Sequence, residues 1–339
     1  MTIERSPNMM RAFRSARLFY RVAVVMAACP VFALFIDAVA AAYPERPVTI
    51  VVPFPPGGAN DVVVRLIQPP LEAALGQPVV IENRGGAGGN IRIGAVARAR
   101  PDGYTLLMAA SGFAVNPSLY AKVPYDPLRD FDPVAEISAF PIIFSVRPDF
   151  GVATLNDLIE RARAKPGALN YSSPGVGTLP HLATELLKLD RGVDIVHVAY
   201  PGGAPAAQAI LSRSVELAAM SVSDANPLIA SGLLKGLAVT SEARWPELPD
   251  VPTVAEVGVA AATAETWQGI LVPSGTPKEM TARLAATLIE IVGRAEIGEK
   301  FLRAGFRTRG KSSEEFRERI TREVSRWRDV IARTHIAGQ

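Results

Sequence analysis

The sequence predicts an α/β fold of two domains with a ligand cleft between them. Short β-branched runs alternate with amphipathic helical patterns from Pro44 onward, no long flexible linker interrupts this alternation, and two glycine clusters each join a strand to a helix. Strands that alternate with helices form a mainly parallel sheet covered on both faces. Two domains without a linker are joined by several short crossings, and ligands of open α/β folds bind beyond the carboxyl ends of the strands.

Residues 1–42 have the order of a secretory signal and are set apart from the fold. A basic leader with five arginines ends at Arg21, an apolar run follows from Val22 to Ile36, and small residues with A-x-A spacing occupy 38–42. The apolar run is shorter than the roughly 20 residues that a membrane span needs. We expect a cleaved signal peptide and a mature protein in the periplasm; an uncleaved anchor is the less favoured alternative.

Removal of this leader changes what the composition indicates. The leader holds five of the 36 Lys+Arg and two of the 33 Asp+Glu, so that the net charge of +3 is lost with it. Nucleic-acid binding therefore has no support from charge. The only cysteine, Cys29, also lies in the leader, which leaves no thiolate for a disulfide, a nucleophile or a metal site. About 300 residues remain, enough for one large or two medium domains.

The strands and helices are predicted in order along the mature chain. The predicted strands are PVTIVVPF, QPVVIEN, DGYTLLMAAS, PIIFSVRP, ALNYSS, VDIVHVAY, VELAAMSV, LKGLAVTS and TWQGILVPSG. Helices are predicted from about Ala59 and in GGNIRIGAVARAR, TLNDLIERARAK, TLPHLATELLKL and APAAQAILS. Pro69 and Pro70 are expected to break or kink the first helix, and Thr154 is expected to cap another.

The C-terminal part of the chain, from Pro277 to Thr334, is expected to be helical with a break at Gly305–Gly310. We assign residues 43–141 plus 266–339 to domain one and residues 142–265 to domain two. This division places two chain crossings between the domains, which permits hinge closure.

The two glycine clusters, Gly57–Gly58 and Gly85–Gly89, raise the question of a phosphate site. Neither has the lysine of a P-loop, and Ile91 replaces the third glycine of a dinucleotide fingerprint. Glycines still let the backbone approach a ligand, and helix N-termini attract anions through unpaired N–H groups. Two such ends side by side predict a seat for a small anion, most simply a carboxylate. The alternative is that the glycines only turn a strand into a helix.

Catalytic patterns are scarce. Asp61 is expected to accept a backbone hydrogen bond and to pair with Arg65 rather than to contact ligand directly. Neither a nucleophile-elbow motif nor zinc-ligand spacing of the histidines occurs in the sequence. His197 lies in an alternating strand and is interpreted as structural, whereas His181 heads a helix and is a candidate for the cleft. We expect no enzyme, cofactor or metal; a Ser/His/Asp triad of distant residues stays open, but no pattern points to one.

Six motifs become informative when they are taken together. They are YPERPVTIVVPFPPGGANDVVVRL, GQPVVIENRGGAGGNI, PDGYTLLMAAS, DFDPV, NYSSPGVGTLPHLATELL and LPDVPTVAEVG. In this order they resemble the Bug family, the periplasmic solute receptors of tripartite tricarboxylate transporters, over nearly the whole mature chain. The resemblance implies a periplasmic-binding-protein (Venus flytrap) clamshell with a cleft between its domains. Such a receptor has no chemistry of its own and delivers a small carboxylate to membrane permease subunits; we expect a monomer.

The resemblance also implies which residues line the cleft. In domain one the carboxylate is held by two glycine loops, through backbone amides and bridging waters; the candidates there are Phe54, Pro55, Gly57, Gly58, Asn60, Asp61, Gly86, Ala87, Gly88, Ser111 and Asn116. In domain two the candidates for the variable end of the ligand are Ser173, Thr178, His181, Tyr200, Gly202, Ser223 and Asp224.

The chain departs from the family pattern in one of these loops. It has AYPGGAPA where the family usually has PYKGSAPA, so a lysine is lost and Pro201 and Gly203 are substituted. The identity of the carboxylate is therefore left open. A periplasmic sensor that presents its closed form to a signalling partner is the alternative function, and a hydrolase that uses the cleft is disfavoured by the missing motifs.

Overall fold

The computed structural model describes residues 43–334, 336 and 337, with Ala87 by its backbone only. The chain from Arg46 forms one compact unit, and residues 43–45 belong to a separate, second unit. The unit from Arg46 holds every strand and helix described below. None of its described helices is long and apolar enough to cross a membrane.

The described residues form ten strands and ten α-helices. The strands are β1 Val48–Val52, β2 Val79–Asn83, β3 Thr105–Ala110, β4 Phe131–Val146, β5 Asn170–Ser173, β6 Val196–Ala199, β7 Leu217–Ser221, β8 Lys235–Val239, β9 Glu265–Pro273 and β10 Arg307–Lys311. The helices are α1 Ala59–Leu75, α2 Asn90–Ala97, α3 Gly112–Leu119, α4 Leu155–Ala164, α5 Leu179–Arg191, α6 Gly203–Leu211, α7 Val222–Ala230, α8 Lys278–Gly293, α9 Ala295–Arg303 and α10 Ser313–Thr334. Most strand and helix predictions are confirmed, among them Thr154, which caps α4 in a reciprocal capping box.

One long strand, β4, belongs to two halves of the sheet. The strand order is β2-β1-β3-β9-β4-β7-β5-β6, and β8 and β10 also pair with β4. The first part of β4 pairs with β9 and β10, and its last part pairs with β7 and β8. We call the half with β1, β2, β3, β9 and β10 lobe one, and the half with β5 to β8 lobe two. The predicted division at residues 141 and 265 stays a prediction.

The strand register directs the carboxyl ends of both lobes toward the middle of β4. Ala110, the last residue of β3, lies opposite Gln268 of β9, which pairs with Ser138 of β4. Ser221, the last residue of β7, lies opposite Ile142 of β4. Because β3 runs parallel to β4 and β7 antiparallel to it, the two strands point toward each other. Positions 138 and 142 are about 13 Å apart along an extended strand, so the loops after the parallel strands open toward a common cleft.

The C-terminal helix α10 packs into the cores of both lobes. Phe316 and Ile320 belong to the lobe-one cluster around Trp267. Trp327 and Val330 belong to the main lobe-two cluster. The helix therefore joins the lobes, in addition to the strands that cross between them.

The first helix does not break, because α1 continues through Pro69 and Pro70; the kink, which was the other expected outcome, stays a prediction. A proline inside a helix costs about 3 kcal/mol. Val63, Ile67 and Leu71 are fully buried on the inner face of α1, and burial of such side chains contributes about 1.5–3 kcal/mol each. Tertiary packing thus outweighs the local penalty.

Three further elements differ from the sequence prediction. The expected break at Gly305–Gly310 is a strand, β10, which pairs antiparallel with β4, and so the C-terminal part is not purely helical. Its sequence, RTRGK, has no apolar alternation, because the strand lies at the sheet margin with all its residues at least partly exposed. Helices α3 and α7 were not predicted; they contain Pro117 and Pro227 respectively.

Candidate functional site

The first glycine loop joins β1 to α1 and is organised around Asp61. This residue is buried, and its Oδ2 accepts hydrogen bonds from Gly57 N at 2.8 Å and from Arg65 Nε at 2.9 Å. Burial raises the pKa of Asp61, but the hydrogen bonds from Arg65 and Gly57 outweigh it and hold the pKa below its ordinary value. The predicted pairing of Asp61 with Arg65 is confirmed. The predicted capping is wrong, because the Gly57 N–H that Asp61 accepts lies before the N-cap Gly58, and no side chain caps α1.

Two groups of this loop remain available to a ligand. Gly58 is the N-cap of α1 and has no side chain to cap the helix, so the first-turn amides that follow have no intrahelical acceptor. The Oδ1 atom of Asp61 is buried and has no hydrogen-bond partner among the described residues. A buried carboxylate oxygen of this kind suits a donor from water or from a ligand.

The second glycine loop lies against the first. Gly88 and Gly89, with φ of 63° and 87°, adopt the left-handed backbone that favours glycine. A Cβ on Gly85 would lie 3.1 Å from Pro55 Cδ, and one on Gly89 would lie 3.2 Å from Pro53 Cβ. The missing side chains therefore allow the loops that lead into α1 and α2 to pack together.

Asn116 and Ser111, both buried, support these loops from behind. Asn116 Nδ2 donates to Gly88 O at 3.1 Å and to Asn90 Oδ1 at 2.7 Å. Ser111 Oγ accepts from Trp267 N at 3.1 Å, which ties the end of β3 to β9. In this structure the two residues position the loop and the strand end.

A buried polar chain links α1 to the strands that lead into lobe two. Gln268 Nε2 donates to Asn60 Oδ1 at 2.8 Å, and Ser138 Oγ donates to Gln268 Oε1 at 2.7 Å. Sequence reasoning named Asn60 but missed Gln268 and Ser138. The available signal was a glutamine inside an otherwise buried strand, since buried polar groups need partners.

In lobe two the loop between β5 and α5 is held by its own hydroxyl groups. Ser173 Oγ accepts from Gly175 N at 3.2 Å, and Thr178 Oγ1 donates to Gly175 O at 2.7 Å. Gly177 lies against Leu119 of α3, in lobe one, so closely that a Cβ would clash. The loop therefore reaches the opposite side of the cleft.

The two described histidines lie behind this loop as a stacked pair with ring centroids 3.8 Å apart. His181 Nδ1 accepts from Gly177 N at 3.0 Å, and His197 Nε2 lies 2.7 Å from Ser173 Oγ. Burial is the main cause that lowers the pKa of each histidine to about 4. Both rings are thus neutral near pH 7 and serve to hold the loop; His335 lies outside the described residues.

The remaining candidates follow β6 and β7. Tyr200, half-buried, donates its backbone N–H to Ser173 O at 3.0 Å, and Gly202 has a φ of 121° that favours glycine. Ser223 Oγ lies 2.8 Å from Ser221 Oγ in the first turn of α7, and Asp224 is exposed beside it. The backbone thus brings together loop candidates from three strands of lobe two, opposite the two glycine loops of lobe one.

Other parts of the surface offer less specific features. The described residues contain no cluster of His, Cys, Asp or Glu suited to a metal ion. A polar cavity of about 580 Å³ lies between β10 and α10 and is lined largely by charged residues. It does not include the glycine loops.

Two lobes joined by crossing strands, with two glycine loops in contact on one side of the cleft, define a solute-binding receptor of the periplasmic-binding-protein fold. The family model described as "Tripartite tricarboxylate transporter family receptor" matches residues 63–336. The chain belongs to this family, which includes the Bug receptors, and the family is periplasmic.

Related proteins extend over most of the chain. Protein BugT of Bordetella pertussis is 35% identical over 294 residues, which cover 86% of this chain and 90% of BugT. The structure of R. palustris Rpa4515 with adipate has 36% identity and a TM-score of 0.77, and covers 87% of this chain and 99% of that one. The structure of MatC from Rhodopseudomonas palustris with bound malate has 31% identity and a TM-score of 0.73, and covers 85% of this chain and 100% of that one.

Proposed function

We propose that this protein captures a small carboxylated solute between its lobes and delivers it to the permease of a tripartite tricarboxylate-type transporter. One observation carries the proposal: the two glycine loops that lead into α1 and α2 lie in contact, with Gly85 against Pro55 and Gly89 against Pro53. Adipate and malate in the structures of two relatives support a carboxylate as the ligand class.

The ligand carboxylate would accept hydrogen bonds from first-turn amides of α1, beginning after Gly58, and from the backbone of Gly86–Gly88. Such amides carry partial positive charge from the helix dipole and need no lysine or arginine. Asp61 Oδ1 would hold a water that bridges to the ligand, because a water can donate to both carboxylates. The ion pair with Arg65 keeps Asp61 from adding an uncompensated charge.

Closure follows from contacts of one ligand with both lobes. A ligand that touches the α1 and α2 ends together with lobe two stabilises the closed arrangement over the open one by its differential contacts. The protein acts in the periplasm after removal of residues 1–42, as a monomer and without catalysis.

Isothermal titration calorimetry and thermal shift against mono-, di- and tricarboxylates test ligand capture. Binding of at least one acid, with a smaller radius of gyration in solution scattering, is the expected result. If no acid produces heat or a thermal shift, carboxylate capture is refuted. Co-purification of a signalling partner in place of permease subunits would overturn the delivery step alone, and the mass of the exported protein tests cleavage of the leader.

A further inference from the structure

Along the lobe-two edge of the cleft, the three segments that hold the ligand candidates carry a single formal charge. The loops after β5 and β6 and the first turn of α7 consist of residues 174–178, 200–202 and 222–224. They contain Asp224 and no other acid, lysine or arginine. A ligand end that enters this edge therefore meets hydroxyl groups, backbone and one carboxylate.

Asp224 lies where two helices of lobe two begin. Ser221 Oγ donates to Asp224 Oδ2 at 2.7 Å, and Asp224 N donates to Ser221 Oγ at 3.2 Å. The carboxylate lies against Gly203, the first residue of α6, so closely that a Cβ there would clash with it. The N-terminus of α6, which would otherwise attract an anion, thus already has the protein's own carboxylate beside it. Asp224 Oδ1 has no hydrogen-bond partner among the described residues.

The arginines beside the lobe-one turn that contacts this region are engaged elsewhere. The lobe-one turn at Gly305 touches Ser223, and arginines flank this turn on both sides. Arg303 forms an ion pair within its own helix at 3.6 Å. The Arg307 guanidinium lies 4.7 Å from the centre of the Trp245 ring. Neither arginine is paired with Asp224.

We propose that lobe two selects a cationic far end, so that the ligand class is a small amino acid zwitterion with its carboxylate on lobe one and its ammonium group at Asp224. This inference rests on the proposed function, because it takes the carboxylate seat of lobe one as given. A dicarboxylate of the same length would place its second carboxylate beside Asp224 with no counter-charge, and it is disfavoured.

Matched ligands test the far end separately from the seat. Adipate and 6-aminohexanoate differ only in one terminal group, as do glutarate and 5-aminopentanoate, and succinate and 4-aminobutyrate. For the best chain length we expect calorimetry to show at least about tenfold tighter binding of the amino acid, which corresponds to about 1.4 kcal/mol. Asp224→Asn should reduce this preference by about tenfold or more, and Asp224→Ser should do the same.

Asp157→Asn is the matched control. Asp157 is also an acidic residue in the first turn of a lobe-two helix, where it accepts from Thr154 N at 2.8 Å. Asp157 follows the carboxyl end of β4, whereas the cleft lies at the middle of β4. Its replacement therefore removes an equivalent cap and leaves the ligand preference unchanged.

The outcomes separate the two proposals. Tighter binding of the dicarboxylate to the unaltered protein overturns the inference and leaves carboxylate capture intact. An unchanged preference in folded Asp224→Asn and Asp224→Ser, or an equal change in Asp157→Asn, also overturns it. Absence of binding by all six acids and by the wider carboxylate panel refutes the carboxylate seat, and the inference fails with it.

Discussion

Gly58→Asp separates anion binding at α1 from the stability of α1. Gly58 has φ −78° and ψ 168°, the extended backbone of an N-cap, and no side chain caps the helix. An added Cβ would make an ordinary contact, 3.6 Å from Pro55 O. Asp and Asn are better N-caps than Gly by a few tenths of a kcal/mol. Both Gly58→Asp and Gly58→Asn should therefore fold with an unchanged or slightly higher Tm.

The two variants differ in the charge that they bring to the proposed seat. The carboxylate of Gly58→Asp would occupy the same first-turn amides as the ligand. Two carboxylates about 5 Å apart at an effective dielectric constant near 20 repel by about 3 kcal/mol. That energy corresponds to a loss on the order of 100-fold in affinity. Gly58→Asn introduces nearly the same volume without the charge.

Calorimetry with the tightest-binding carboxylate gives the ratio of the two Kd values. We expect Gly58→Asp to bind on the order of 30- to 100-fold more weakly than Gly58→Asn at low salt, with a smaller ratio at high salt because exposed charges are screened. Equal affinities of two folded variants would refute the placement of the ligand carboxylate at the α1 N-terminus.

Three further predictions concern stability. Arg319 lies 2.6 Å from Glu136, which is 1% exposed, and Arg319→Met should lower the free energy of unfolding in urea by about 3–5 kcal/mol. Addition of Glu136→Gln should largely restore it, and a decrease below about 1 kcal/mol for Arg319→Met alone would contradict the role of the pair. The pKa values of His181 and His197 are lowered from 6.5 to about 4, so the unfolded chain takes up protons first. Stability is therefore full above about pH 6.5 and falls on acidification toward about 4, by up to about 3 kcal/mol for the buried His181 and by less for the more exposed His197. The double variant His181→Asn, His197→Gln should show a smaller decrease of the unfolding free energy between about pH 6.5 and 4. An unchanged decrease would show that these histidines do not cause it. Pro69→Ala should raise the unfolding free energy by about 1–3 kcal/mol. A lower unfolding free energy would show that Pro69 fits the helical backbone without strain.

Local features of the candidate site could be predicted from the sequence. The pairing of Asp61 with Arg65 follows from their spacing of four residues on one helix, and the glycine loops follow from strand and helix patterns on either side. The contact between Asn60 and Gln268 joins residues 208 positions apart. No local pattern encodes this separation, so Gln268 and Ser138 emerged only from the folded chain.

The lobe-two candidates show a second limit of sequence reasoning. Ser173, Thr178 and His181 are polar residues near the carboxyl end of a strand, and the sequence predicts them as cleft residues. In the fold their hydrogen bonds go largely to the loop itself, through Gly175 and Gly177. Proximity to a cleft could be inferred from topology, but the division between residues that hold a loop and residues free for ligand depends on side-chain packing.

The crossing between the lobes concentrates any bending at one place in the sheet. The two crossing strands pair with each other at Pro141 and Glu265, and a proline has no N–H to donate to the ladder. Thr240 joins both strands at this point, because its Oγ1 accepts from Ile142 N at 2.9 Å and donates to Ala264 O at 2.5 Å. The ladder between the two strands therefore ends at a proline that cannot donate, and both strands are bound to the same side chain. The proposed closure would thus bend both strands at the same level and not at two separate points. Helix α10, packed in both cores, would limit the amplitude of this motion.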